Sequence, residues 1–316
     1  MSINWGIVGC GDVCEVKSGP GFQKAEGSAL IAVMRRDRAR AEDYARRHGV
    51  PRVHATADEL IADREVHAVY IASPPSSHLD LACRVAAAGK PCLVEKPMAM
   101  DHAECVRMVE AFRERGVPLW VAFYRRGLPR FLTVRELLRD GAIGQPTSVH
   151  VSIKETLADE VKRKDWRFDP VVGGGLLLDL GSHCVDLLDF FLGPAAEVRG
   201  FSTNTGGVYA TTDLTSMACR FADGAVGTAE FNFNADEKAD SITLTGTRGH
   251  IVTPVFSDTD VVVTRDGRTE VLPIRNPPHV HQPLIQTIVD ELNGRGRCES
   301  TGESGARSAW VLDRCK

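Results

Sequence analysis

Asp179 and His183 stand four residues apart in the run Gly173-Gly174-Gly175-Leu176-Leu177-Leu178-Asp179-Leu180-Gly181-Ser182-His183. On a helix that spacing puts an acid and an imidazole on one face, one turn apart. Histidine is the side chain best suited to move a proton near neutral pH, and the glycines let another molecule approach the backbone closely where the helix begins. The chemistry on offer is general acid/base catalysis. The plain alternative is a buried helix whose Leu176, Leu177, Leu187 and Leu188 face a core while the polar pair hydrogen-bonds. The same spacing also suits metal ligation, but no convincing third ligand accompanies it, and His279 and His281 read as part of a loop before the last helices. No metal site is expected.

Four further segments offer chemistry at the ends of strand-like runs. Gly9-Cys10-Gly11-Asp12-Val13-Cys14 follows Ile3 to Val8, placing G-x-G where helix amides, those of Asp12 and Val13 included, can face a pyrophosphate. Cys14 replaces the third glycine of that fingerprint and is small enough to keep helix and strand close. Val33-Met34-Arg35-Arg36-Asp37 ends the next run. A carboxylate there would bind the adenosine ribose of NAD, whereas an arginine suits the 2'-phosphate of NADP. NADP(H) is therefore the expected preference, with NAD(H) possible, and a solvated charge run continued by Arg38 and Arg40 is the alternative. Ser73-Pro74-Pro75-Ser76-Ser77-His78 is either a ligand-facing turn or a rigid entry to a helix capped by Ser76 or Ser77, and the two readings are compatible. Glu95-Lys96-Pro97 offers an ammonium that can stabilise a developing alkoxide; by spacing alone it is just a charged tripeptide, and a surface ion pair is the stronger reading.

The elements that must position these groups fall into two halves. Up to residue 122, short apolar runs alternate with helix-length segments, the pattern of parallel strands joined by helical crossovers. Strands are expected at Ile3 to Val8, Leu30 to Met34, Ala68 to Ala72, Pro91 to Val94 and Leu119 to Phe123. Helices are expected at Ala39 to His48 and Asp101 to Arg115, with Thr56 and Glu59 spaced as a capping box. From 123 to 316 the rhythm changes to α+β: a helix around Phe131 to Arg139, a strand around Thr147 to Lys154, the glycine-led helix, then successive strands. Of these, Ala225 to Phe233 alternates well, and runs near Leu214 to Phe221, Ser241 to Thr245, Asp260 to Thr264 and Arg268 to Leu272 complete a mainly antiparallel, open-faced sheet. Pro283 to Asn293 reads as a helix closed by Gly294, and Ser300 with Glu303 as the cap of a last one. Residues 155–165 are charged and aperiodic, the expected mobile loop.

Composition narrows the partners. The 316 residues carry 38 Lys+Arg against 42 Asp+Glu, a net charge of -4 without a basic block, so neither nucleic acid nor an anionic membrane is expected and a small molecule is the default ligand. Met1 runs straight into a strand-like segment without a basic leader, and no apolar run approaches the ~20 residues that cross a bilayer, so a cytoplasmic protein is expected. Nine cysteines with no C-x-x-C pair argue against a disulfide scaffold or structural zinc.

Taken together and in this order, Gly9-x-Gly11, Glu95-Lys96-Pro97, Gly173-Gly174-Gly175, Asp179 and His183 resemble the glucose-fructose oxidoreductase, inositol dehydrogenase and rhizopine catabolism family, Gfo/Idh/MocA. The resemblance covers essentially the whole chain, including Trp166-Arg167 and Thr301-Gly302-Glu303-Ser304-Gly305. It implies a Rossmann nicotinamide-binding domain and a substrate domain whose open-faced sheet often makes dimer or tetramer contacts, so a homodimer or homotetramer is expected. It also implies hydride transfer at a secondary alcohol or carbonyl of a sugar, cyclitol or related polyol. The roles it implies are general acid/base for His183, polarisation of the same oxygen for Lys96, and binding a substrate hydroxyl or orienting His183 for Asp179. Tyr124, Arg125 and Arg126 would line the pocket, Trp166-Arg167 would reach the nicotinamide or a phosphate, and the Lys96-Pro97 bond would be cis. Two alternatives stay open within it: a lyase or glycosidase that retains and recycles its cofactor, and an inactive dinucleotide-binding regulator.

Overall fold

Three helix starts in the first half are written as side-chain caps. Asp37, Thr56 and Asp101 accept the amides of Arg40, Glu59 and Glu104 at 3.2, 3.1 and 2.8 Å. Gly49 and Gly116, both left-handed, end the first and last of these helices. The computed structural model describes residues 1–156 and 168–315. Segment 155–165 beyond Thr156, together with Trp166 and Arg167, lies outside the described residues.

The first unit comprises Met1–Leu128 with Pro277–Ala306, and the second Pro129–Asn276 with Arg307–Lys316. In chain order the elements are β1 Ile3–Val8, α1 Asp12–Val16, α2 Ser18–Lys24, β2 Ser28–Met34, α3 Arg38–His48, β3 Arg52–His54, α4 Ala57–Ala62, β4 Ala68–Ile71, α5 His78–Ala87, β5 Cys92–Val94, α6 His102–Arg115 and β6 Leu119–Val121. They continue with α7 Pro129–Arg139, β7 Pro146–Lys154, α8 Ser182–Leu192, β8 Ala195–Thr203, β9 Leu214–Phe221, β10 Val226–Asn232, β11 Ala239–Gly246, β12 Gly249–Thr253, β13 Val261–Arg265, β14 Arg268–Leu272, α9 Gln282–Leu292 and α10 Gly302–Asp313.

The first unit holds a six-stranded parallel sheet of order β3-β2-β1-β4-β5-β6. Strands β4, β5 and β6 are buried throughout, as parallel strands with both faces covered are. Phe22 of α2 bridges Trp5 of β1 and Tyr70 of β4, with ring centroids 4.7 and 5.1 Å away. Each such buried ring contributes about 1.5–3 kcal/mol.

The sequence expectation that everything after 122 forms the second domain is corrected, because α9 packs on α2. A Cβ at Gly21 would come within 2.9 Å of Ile285, so glycine is what lets the two helices close. The Gln286 amide then pairs with both Glu26 backbone groups, at 2.7 and 3.3 Å. The last cap is also corrected. Thr301, not Ser300, accepts the Ser304 amide at 3.2 Å, and the Ser300 hydroxyl donates to the Val121 carbonyl at 2.7 Å.

The second unit holds an eight-stranded sheet of order β14-β13-β12-β11-β7-β10-β9-β8, in which only the β7–β10 pair is parallel. Val149, Val151, Ile153, Ala229, Phe231, Ile242 and Leu244 are buried on one face, while Ser148, His150, Arg220 and Thr228 are exposed on the other. That is the open-faced sheet. The apolar stretch Pro170–Leu192 corrects the expectation that no run reaches membrane-crossing length: it has 23 residues, but 67% of its apolar window is buried inside the fold. Burial accounts for its composition.

Candidate active site

Strand order decides where ligands can gather in the first unit. The connection leaves β1 toward β2 on one side and β4 lies on the other, so a crevice opens at their carboxyl ends. Gly9–Gly11 and Ser73–Pro74 sit there. Gly9 has φ +92°, and a Cβ on it would lie 2.8 Å from the Ser73 amide nitrogen. At Gly11, by contrast, a Cβ would meet nothing closer than the Gly9 carbonyl at 3.9 Å. The turn is packed on its protein side and open at Gly11, as a cradle for a phosphate backbone requires. Asp12 and Val13 begin α1 immediately after it, exposed and half-buried respectively, while Cys14 is fully buried with its carbonyl bonded to Tyr44 at 3.1 Å. Gly9→Ala is expected to lower stability by about 1–3 kcal/mol, the usual cost of overpacking. Thermal unfolding measures it; an unchanged melting temperature contradicts the packing argument.

Arg35 leaves β2 and lays its guanidinium across this turn, donating to the Cys10 carbonyl at 3.1 Å; Arg36 is exposed. Ser73 shares a hydroxyl contact of 2.7 Å with Ser77, and Ser77 donates to the Pro74 carbonyl at 2.8 Å rather than capping α5. His78 is wholly buried. Its Nε2 lies 2.7 Å from the Ser73 carbonyl and its Nδ1 3.1 Å from that of Pro97, so it ties the turn after β4 to the segment after β5. Burial pushes its imidazole below the usual range. It acts on the site as a strut.

Glu95, at the end of β5, is buried and receives the Tyr70 hydroxyl on Oε1 and the Lys96 amide, at 3.1 Å, on Oε2. Burial raises its carboxyl above the usual range, opposed chiefly by the Lys96 charge and the Tyr70 hydrogen bond. The Lys96–Pro97 bond is cis, as expected. Arg125 is buried, its guanidinium 4.8 Å from the Tyr124 ring centroid; Arg126 instead donates to the Glu299 carbonyl at 3.2 Å. His281 lies in the turn just before α9, as the sequence implies, but its place in this cluster carries no sequence signal. Its ring stacks on Tyr124 at 4.5 Å, and its Nδ1 lies 3.9 Å from Glu95 Oε1. Burial and the Lys17, Lys96 and Arg125 charges push it down to about 3, so it is a neutral member of this cluster. No periodicity or short motif marks it; only the return of 277–306 to the first unit brings it here.

In the second unit, Asp179 lies within an irregularity and His183 just after it. Gly173, at φ +87°, closes a 3₁₀ turn, and Gly175, at φ +147°, takes a backbone conformation that side chains rarely adopt. Leu177–Gly181 then forms a π turn in which the Ser182 amide reaches the Leu177 carbonyl, and α8 follows. Asp179, half-buried, lies in the π turn; His183, 4% exposed, lies in the first turn of α8. A single widened turn leading into a regular helix is a common mark of functional sites, and here the turn carries the acid and the helix the imidazole. Leu177, Leu187 and Leu188 are buried and Leu176 is half-buried, so three of the four leucines take the core role foreseen for the helix, alongside the polar pair. Among the described residues no group of three or more His, Cys, Asp or Glu side chains gathers as metal ligands.

Comparison with known proteins agrees with this architecture. The family described as "Oxidoreductase family, NAD-binding Rossmann fold" matches residues 3–123, and "GFO/IDH/MocA C-terminal domain" matches residues 131–252. Oxidoreductase P35 of Formosa agariphila is 38% identical over 98% of this chain and 97% of its own. The 1,5-anhydro-D-fructose reductase of Ensifer adhaerens is 27% identical over 98% and 92%. Levoglucosan dehydrogenase, solved in complex with NADH and levoglucosan, superposes with a TM-score of 0.88 at 22% identity, covering 100% of this chain and 96% of that one.

Proposed function

We propose, since the chain belongs to the GFO/IDH/MocA oxidoreductase family, that it transfers a hydride between NADP(H) and a secondary alcohol or carbonyl of a sugar, cyclitol or related polyol. The nicotinamide supplies the hydride when bound. Gly9, Gly11, Asp12 and Val13 present backbone to the pyrophosphate, and Ser73 and Pro74 wall the crevice. Lys96 polarises the substrate oxygen, His183 gives or takes its proton, and Asp179 holds a neighbouring hydroxyl or the imidazole. The anhydro-sugar named for the Ensifer adhaerens relative supports a polyol or sugar substrate for this chain too.

The observation that carries the cofactor preference is the Arg35 guanidinium fixed against the glycine turn. A dianionic 2'-phosphate there gains charge-assisted donors, and no carboxylate at 34 to 36 repels it. One such pair supplies on the order of 1.5–3 kcal/mol, or roughly tenfold to a hundredfold discrimination. The test is a panel of D-glucose, myo-inositol, 1,5-anhydro-D-fructose and small dicarbonyls with each cofactor, followed by nicotinamide absorbance. Arg35→Asp is expected to reverse the preference and Arg36→Ala to weaken it; a native preference for NAD, or unchanged selectivity in both variants, overturns the assignment.

A further inference from the structure

A half-buried carboxylate and a buried guanidinium of the second unit converge on one short loop. Asp240, on β11, accepts three successive amides: Val255 at 2.8 Å on Oδ1, and Phe256 at 2.9 Å and Ser257 at 2.7 Å on Oδ2. Arg130, on α7 and 1% exposed, donates to the carbonyls of Ser257 at 2.7 Å, Thr259 at 3.0 Å and Ile274 at 3.2 Å. The loop's amides are thus gripped by a carboxylate and its carbonyls by a guanidinium. Charge-assisted bonds of this kind are shorter and stronger than neutral ones, and burying a guanidinium to make them is costly, more than holding an ordinary surface loop requires. What the clamp fixes is Phe256. Its half-buried ring meets the His183 imidazole edge-on, with centroids 6.3 Å apart at 73°.

We propose that Asp240 and Arg130 are positioning residues for His183, acting through Phe256. An imidazole that must meet a substrate oxygen within a fraction of an ångström needs its ring plane set from more than one side. Its own helix sets one; the clamped phenylalanine sets another. The inference rests on the acid/base reading of His183, and the experiment separates the two.

Isotope-labelled histidine is introduced into the full chain, and the His183 ring signal is assigned by its absence in His183→Asn. Phe256→Leu, at a partly exposed position, removes the aromatic edge without touching the clamp. It should displace the His183 ring signal and lower kcat about tenfold on the fastest member of the substrate panel, with the cofactor KM unchanged, a smaller loss than outright misplacement causes. Phe256→Tyr should restore both. Asp240→Asn keeps the shape, loses the charge, and should move the signal in the same direction as Phe256→Leu. A wild-type signal and kcat in Phe256→Leu, with His183→Asn disabled, overturn the positioning role and leave the acid/base reading standing. Full turnover in His183→Asn overturns that reading and the inference built on it. If Asp240→Asn fails to fold, the Phe256 pair still decides.

Discussion

Replacing His183 by asparagine is expected to lower turnover by on the order of a hundredfold or more, the usual worth of a general acid/base, while nucleotide binding stays at its native level. The side chain is 4% exposed and sits at the junction of a π turn and α8, so its surroundings are fixed by the backbone of the second unit. Asparagine keeps a polar group of similar reach but has no proton to exchange near neutral pH. The turn proposed to take the phosphates belongs to the first unit, around Gly9 and Gly11, and should keep all its hydrogen bonds in the variant. Parallel measurement of kcat and of cofactor affinity checks the expectation. A variant with native kcat, or one that loses nucleotide binding in proportion to rate, contradicts it.

Lys96→Met carries the second large effect, a loss on the order of a hundredfold in kcat, as when one donor to a developing oxyanion is removed. Here the change has a second consequence. The Lys96 charge is the main influence opposing the desolvation of Glu95, so without it the buried carboxyl is raised further. A carboxyl raised in the folded protein stabilises it at low pH and costs stability as pH climbs from the ordinary carboxylate range through the folded value. The melting temperature of Lys96→Met should therefore fall increasingly below that of the native protein as pH rises. A constant offset across pH shows that Glu95 is not coupled to Lys96.

The turns at the strand ends were legible because each combines an apolar run with residues that favour a tight turn. Gly9-x-Gly11 directly after an apolar run, and the capping pair Thr56/Glu59, are local in sequence and local in structure. What escaped was non-local or irregular. Strand β8 was missed because a bulge between Ala195 and Glu197 breaks its alternation and only Val198 is fully buried along it, while Phe201 stands exposed. The short β12, led by Gly249, buries only Ile251 and Thr253, so it shows no apolar alternation. The π turn before His183 leaves the hydrophobic pattern intact, so periodicity reads straight through it. His281 joins Glu95 only because Gly21 admits α9 against α2, a packing event some 260 residues apart along the chain.

Transfer of deuterium from the nicotinamide ring of labelled NADPH to product tests the central claim most directly, using the native chain and the fastest carbonyl substrate of the panel. The label should arrive on the carbinol carbon, one equivalent per cofactor oxidised, and His183→Asn should slow its arrival without changing where it goes. Product formed without label, or conversion with no net oxidation of the nicotinamide, would contradict it.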